Sequence, residues 1–479
     1  MRGEFKMESK SNEVKEVLDK SKGLDRSLSS RHIQMYTLGS TIGTGIFLAS
    51  GYVIHKAGPG GAVIAYMLGA LIMYLMMSCL GELTVAMPVA GNVQAYASEF
   101  ISPAMGFTSG WMKWVSCAVT VTAQLVASAI IMKNIFPTVN SLVWIIAFTM
   151  LLVLLNVLPA RDYGEAEFWF ASVKIIAVAL FVITGIGIIT GVIGGNAIGF
   201  TNFVNDGGAF PNGFKAILVC MLSAIFAFGG SDLIATAAGE SKNPETEMPK
   251  AIKGFVITIT LCYVACVILI GCVLPWREAN LAGSPFAYMF KSAGIGSAAL
   301  LVNIVVVTSA LSSANGFLYA STRTLWSLAK HDQAPKILAK TNIRKVPVYS
   351  LAISIAFAAF AIVSSFIAAD TVYLFLISLL ASIDIFIYSI DCICQMRFRK
   401  RYIAEGNKAK DLKYKTPFYP ATPIIALILY AVIIIAMILD PTEKIAIITG
   451  VPTALILYVS YKLFAKKSDK ISKSTGNNI

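Results

Sequence analysis

The chain has 479 residues, 57% hydrophobic and 14% charged, with a mean hydropathy of +0.73. Soluble domains carry about 25% charged residues, so this composition excludes an ordinary soluble enzyme or binding module. The net charge of +13 raises the question of nucleic acid, but the cations cluster between long apolar runs, a membrane pattern that implies no nucleic-acid partner.

Residues 1–30 form a charged tail with no apolar run ahead of a cleavage site, so no cleaved signal peptide is expected. Twelve apolar runs follow, each long enough to cross a bilayer: 33–56, 60–87, 104–132, 137–158, 165–190, 213–239, 249–275, 286–321, 347–367, 371–395, 418–439 and 442–464. The predicted fold class is an all-α polytopic membrane protein with twelve transmembrane helices. With the N-terminus inside, 31 of the 39 Lys and Arg fall on the inner side and five on the outer. This asymmetry predicts a multi-pass protein of the cytoplasmic membrane with both termini in the cytoplasm. The expected organisation is a cytoplasmic tail (1–30), a transport core (31–395), a basic cytoplasmic loop (396–416), two further spans (417–464) and a cytoplasmic tail (465–479).

The first span is interrupted by Gly39-Ser40-Thr41-Ile42-Gly43-Thr44-Gly45. Glycine is the poorest helix former after proline. Non-helical backbone at membrane depth is tolerated only where it is buried in protein or lines a cavity. A second interruption, Phe226-Ala227-Phe228-Gly229-Gly230-Ser231-Asp232, falls in the sixth span. Either run alone also fits close helix packing, as Gly39-x3-Gly43 shows. Paired breaks in corresponding positions of two halves point instead to an inverted-repeat transporter site, with spans 1–5 and 6–10 as the five-plus-five repeat and helices 1 and 6 broken.

A half-helix beginning after Gly45 would present free N–H groups that favour a carboxylate, with the Thr44 hydroxyl as a further donor. Half-helices ending near Ile42 and Gly229 would expose carbonyls that favour an ammonium group. A zwitterion needs both poles, so a free amino acid is the natural ligand, with a small cation or a monocarboxylate as the alternatives this geometry leaves open.

Ionisable residues inside spans are costly and merit functional readings. Asp232 follows the second break, as cap of the next half-helix or as a group acting on substrate or proton. Lys174 lies about 15 Å into the fifth span, either snorkelling to the inner surface or facing the cavity as a proton carrier. Asp384 lies midway in the tenth span and could pair with Lys174 or meet the cargo. Asp391, one heptad on, is expected to pair with Arg397 or Arg399. The eight cysteines sit in or beside spans without metal-type spacing, and no nucleotide-binding loop or enzyme signature occurs. The chain therefore reads as a non-enzyme with no metal site and no cofactor, and without a Walker-type loop primary active transport by this chain alone is not expected.

These residues resemble the amino acid permeases of the amino acid–polyamine–organocation superfamily, over nearly all of residues 24–465. The similarity is carried by Leu24-Asp25-Arg26 and Arg31-His32-Ile33-Gln34 ahead of the first break. It continues through Gly81-Glu82-Leu83, Met87-Pro88-Val89-Ala90-Gly91, Gly164-Glu165, Glu167-Phe168-Trp169-Phe170, Ala237-Ala238-Gly239-Glu240-Ser241, Ser313-Ala314-Asn315 and Tyr319-Ala320-Ser321-Thr322-Arg323. The resemblance implies secondary active import of a free amino acid by alternating access, with proton symport as the coupling and obligate exchange as the alternative. A non-transporting sensor lacks the large cytoplasmic domain it would need. The resemblance further implies that Ile42, Gly43, Thr44 and Gly45 hold the amino acid backbone. It implies too that the carbonyls of Phe226, Ala227 and Gly229 take the amino group, that Phe228 closes over the cargo, and that Lys174 serves proton coupling. Two positions depart from the family's usual pattern. Gln124 stands where the third span often carries an acid, which makes it a side-chain-pocket candidate. Asp384 stands where the tenth span is usually uncharged, which makes it a second coupling candidate.

Overall fold

The computed structural model describes residues 28–89, 91–158, 160–279, 284–292, 294, 296–358, 360–362, 369–439 and 444–475. Most of the N-terminal tail and the last four residues lie outside these. The described chain is almost wholly helical. In order it forms α1 (Ser30–Thr41), α2 (Thr44–Phe47), α3 (Ala49–Ala86), α4 (Val93–Phe100), α5 (Pro103–Ile135), α6 (Ser141–Asn156), α7 (Ala160–Ile189), α8 (Thr201–Val204) and α9 (Gly213–Ala227). There follow α10 (Leu233–Ala238), α11 (Pro244–Val273), α12 (Pro285–Ser292), α13 (Gly296–Lys330), α14 (Val348–Ala358), α15 (Ala369–Ala404), α16 (Ala421–Leu439) and α17 (Lys444–Thr475).

Among the described residues, seven helices are long and apolar enough to cross a membrane: α3, α5, α7, α11, α13, α15 and α16. Shorter apolar helices include α6, α9 and the 447–463 stretch of α17. The chain is thus a polytopic helical membrane protein. Several ends differ from the hydropathy boundaries. The first run is divided among α1, α2 and the start of α3, which runs on through a kink at Gly58, where φ is +76°. Helix α13 continues to Lys330 and α15 to Ala404, beyond the predicted span ends. The basic segment expected as a loop from 396 therefore begins as helix.

Burial separates centre from periphery. In its most apolar stretch α5 is 89% buried, against 28% for α7 and 33% for α16. Helix α5 is rich in small residues, among them Gly106, Ser109, Gly110, Ser116 and Ala123, which let neighbouring backbones approach. Its most extensive contacts are with α13, and α15 and α4 pack on it as well. The hydroxyls of Thr108, Thr120, Thr122 and Ser128 return to the carbonyl four residues earlier, so they add little polarity to the core. The outer helices carry rows of exposed apolar residues, such as Met150 and Leu154 on α6 and Ile183 on α7, as a lipid-facing surface requires.

One end of the bundle is cross-braced by buried charge. Glu82 on α3 receives both forks of the Arg399 guanidinium from α15, together with the Thr416 N–H at 2.7 Å. Arg323 on α13 pairs with Glu240 at 3.1 Å. Leu28 exchanges backbone hydrogen bonds with the segment around Ser241, tying the entry to α1 to the exit from α10.

Candidate functional site

Helix α1 stops at Thr41, and Ile42 and Gly43 leave the helical region before α2 resumes at Thr44. A broken helix in an apolar core must find partners for the backbone groups it frees, and here side chains from five other helices supply them. Lys174 on α7 donates from Nζ to the carbonyls of Gly39 and, at 2.9 Å, Ile42. Ser313 on α13 donates to Ser40 O at 2.5 Å, and Tyr263 on α11 to Thr41 O at 2.9 Å. Tyr66 on α3 reaches Gly45 O at 3.0 Å. The Thr44 N–H donates to Oε1 of Gln124 at 3.3 Å, and Gln124 Nε2 donates to Ser313 Oγ at 3.1 Å.

The second break follows α9. Phe228 to Asp232 form a tight turn in which Gly230 has φ +89°, a left-handed conformation that glycine adopts without strain. The Gly229 N–H returns to Phe226 O at 2.9 Å. Among the described residues nothing donates to the carbonyls of Ala227 and Gly229. So of the three carbonyls expected to take an amino group, two are open and that of Phe226 is engaged.

The two breaks touch. A methyl added at Gly45 would run into the backbone of Ala227, and one at Gly230 would meet Ser40 at 3.4 Å. Tyr373 on α15 brings its hydroxyl beside Thr44, and both hydroxyls lack any other partner among the described residues. The junction therefore gathers a helix start, two open carbonyls and two open hydroxyls. Phe228 packs beside Tyr263 and Tyr66, with ring centroids 5.0 and 6.2 Å away.

The structure removes one alternative each for Asp232, Lys174 and Asp384, and overturns the pairing expected for Asp391. Asp232 makes no side-chain cap to α10 and instead pairs with Lys113 of α5 at 2.5 Å, both fully buried. Lys174 does not snorkel, because its ammonium is held by the first break's own carbonyls; the cation expected there from a ligand comes from the protein. Asp384 is not paired with Lys174. It accepts from Ser116 at 2.7 Å and lies against Gly229. Among the described residues Asp391 has no arginine partner, since Arg399 is taken by Glu82 and Arg397 reaches Phe100 O at 3.2 Å. Gln124 reaches the break itself, at Gly43 and Thr44.

Sequence reasoning missed Lys113, Glu167, Tyr66, Tyr263, Tyr373 and Ser313. Lys113 was detectable by the test that singled out Lys174, a cation within a long apolar run. Glu167 receives hydrogen bonds from Ser312 and, at 3.1 Å, Asn315, and lies near enough to Lys174 to interact electrostatically. Among the described residues no cluster of His, Cys, Asp and Glu could hold a metal ion.

Comparison with known proteins agrees with this architecture. Residues 32–471 match the family model for amino acid permeases. The chain is 42% identical to the amino-acid permease RocE of Bacillus subtilis, over 95% of this chain and 98% of the relative. It is 35% identical to the lysine-specific permease LysP of Escherichia coli, over 92% and 94%. It is also 35% identical to the histidine permease HisP of Lactococcus lactis, over 91% and 94%. A broken, internally braced first helix in contact with a second break, together with these matches, identifies the chain as an amino acid permease of the amino acid–polyamine–organocation superfamily.

Proposed function

We propose that this permease imports a free amino acid across the cytoplasmic membrane by alternating access, as a proton symporter. The observation that carries the reading is the contact between the two breaks. There the start of α2 faces a carboxylate's requirements, and the free carbonyls of Ala227 and Gly229 face an ammonium group's. In this reading Ile42, Gly43, Thr44 and Gly45 bind the carboxylate end, and Ala227, Gly229 and neighbouring Phe226 and Phe228 the amino end. Asp232, paired with Lys113, balances charge beside them, and Gln124 holds the Thr44 N–H until the carboxylate takes it.

The topology we favour has twelve crossings, with α1, α2 and the start of α3 as the first and α9 and α10 as the sixth. Two five-span repeats and cytoplasmic termini follow from that count and from the cation asymmetry. Lys174 and Asp384 are the coupling residues. Lys174 bridges the outgoing carbonyls of α1, so loss of its proton would weaken that brace and free the break to move. No cofactor is required when the proton gradient drives the cycle.

The purified protein in liposomes tests the reading. Symport predicts accumulation of labelled amino acid under an inwardly directed proton gradient with empty vesicles. Uptake only into vesicles preloaded with amino acid would establish exchange instead.

A further inference from the structure

Two hollows share one face of α15. Ser382, Phe386 and Ser389 line the first, and Ile393, Arg397 and Lys400 line the second. Spacings of four, three, four, four and three residues keep all six on one side of the helix. The first is a cavity of about 420 Å³ between α15, α5, α16 and α17, with Met105, Met112, Met437 and Ala454 in its walls. Val451 and Leu455 of α17 also line it and are 52% and 58% exposed, so it opens sideways toward lipid. The hydroxyls of Thr108, Ser382 and Ser389 donate to carbonyls of their own helices at 2.9, 2.7 and 2.7 Å. With these donors turned back, the wall offers water little to bond and favours an apolar occupant.

The second hollow has different chemistry. Arg397 and Lys400 lie there beside Met396, Ile403 and Tyr419. Arg397 donates one N–H to Phe100 O at 3.2 Å, and a guanidinium has further donors to offer. The acids close by, Glu99 and Glu405, are both taken by Arg401. Among the described residues neither Arg397 nor Lys400 pairs with a carboxylate. A further cation, Lys462 of α17, lies over the ring of Tyr458, which lines the apolar cavity. Cations beside apolar side chains at the end of a span attract anionic lipid. Along α15, Ser389 is about 12 Å from Arg397 and Ser382 about 22 Å. The hydrocarbon half of a bilayer is about 15 Å deep, so a chain hung from a headgroup at Arg397 reaches into the cavity.

We propose that this face of α15 binds one anionic phospholipid, with its phosphate held by Arg397 and Lys400 and an acyl chain lying in the cavity. A zwitterionic lipid would fit the same cavity, but its ammonium group would face two cations that no carboxylate balances. The site lies apart from the junction of the two breaks and does not rest on the symport reading.

Lipid binding to the full-length protein in detergent, read by native mass spectrometry, tests the site. One phosphatidylglycerol should be retained in preference to phosphatidylcholine with the same chains, and inorganic phosphate should not displace it. The double variant Arg397→Gln/Lys400→Gln, altered at two exposed positions, should bind phosphatidylglycerol about thirtyfold more weakly and phosphatidylcholine as before. Ala454→Trp fills the cavity and should weaken both lipids, and Ser389→Phe makes the same test should the tryptophan not fold. Equal retention of the two lipids, or unchanged phosphatidylglycerol binding in the double variant, overturns the proposal. Unchanged binding in a folded cavity-filling variant overturns the chain's place. Displacement by inorganic phosphate would assign the cations to a free anion, and a dimer that Ala454→Trp dissociates would put a second copy of the chain on this face; either overturns the lipid.

Discussion

A methyl added at Gly43 would lie 2.8 Å from the Gln124 amide nitrogen and 2.9 Å from the Ser313 hydroxyl. Both groups are hydrogen-bonded parts of the first break, so neither can retreat without breaking a bond. Gly43→Val should therefore abolish uptake in a variant that still reaches the membrane, and normal transport by that variant would refute the carboxylate assignment. Gly230 is constrained by its backbone. At φ +89° an alanine is strained by about 1–2 kcal/mol, so Gly230→Ala should lower the melting temperature of the detergent-solubilised protein. Lys174→Ala removes the cation that braces Gly39 and Ile42. We expect accumulation under a proton gradient to disappear while exchange continues, which uptake with and without internal amino acid measures directly. The residue scale also shows what a linear reading can and cannot deliver. The breaks were legible because clusters of glycine and small hydroxyl residues recur in corresponding positions of two halves, which close packing at either one alone does not explain. The Lys113–Asp232 pair was not, because each residue could be singled out alone but only the packing of α5 against the second break joins them.

Among the elements, α15 does most to connect the junction with the outer frame of the bundle. Its Asp384 and Tyr373 reach the breaks, and its Arg399 grips Glu82 of α3. That pair is buried, and removing one partner leaves the other charge uncompensated. Glu82→Ala should cost about 3–5 kcal/mol, read as a fall in thermal stability well beyond that of a surface control such as Lys336→Ala, whose pair with Asp332 is exposed. Helix ends at this scale were poorly legible for a physical reason. Hydropathy falls where lipid ends, whereas α13 and α15 continue as helices whose charged residues find partners among protein groups. The α-helical extension of α15 is what brings Arg399 and Gln395 to Glu82. Helix α1 is the converse case: its end at Thr41 falls inside the glycine-rich run that marked the first interruption in the sequence.

For the whole molecule, membership of the permease family supports amino acid transport, and in the proposed reading the touching breaks recognise the amino acid backbone. In the proposed reading the side chain of the cargo is read by polar residues around that junction, with Lys113, Asp232, Asp384 and Gln124 as the candidates. In the proposed reading this junction binds and carries a free amino acid on proton drive. The most direct test is uptake of labelled amino acids into empty proteoliposomes with an acidic exterior. The account predicts accumulation above the external concentration, collapse when a protonophore dissipates the gradient, and none in Gly43→Val. Equal uptake with and without the gradient, or undiminished uptake by Gly43→Val, would contradict it.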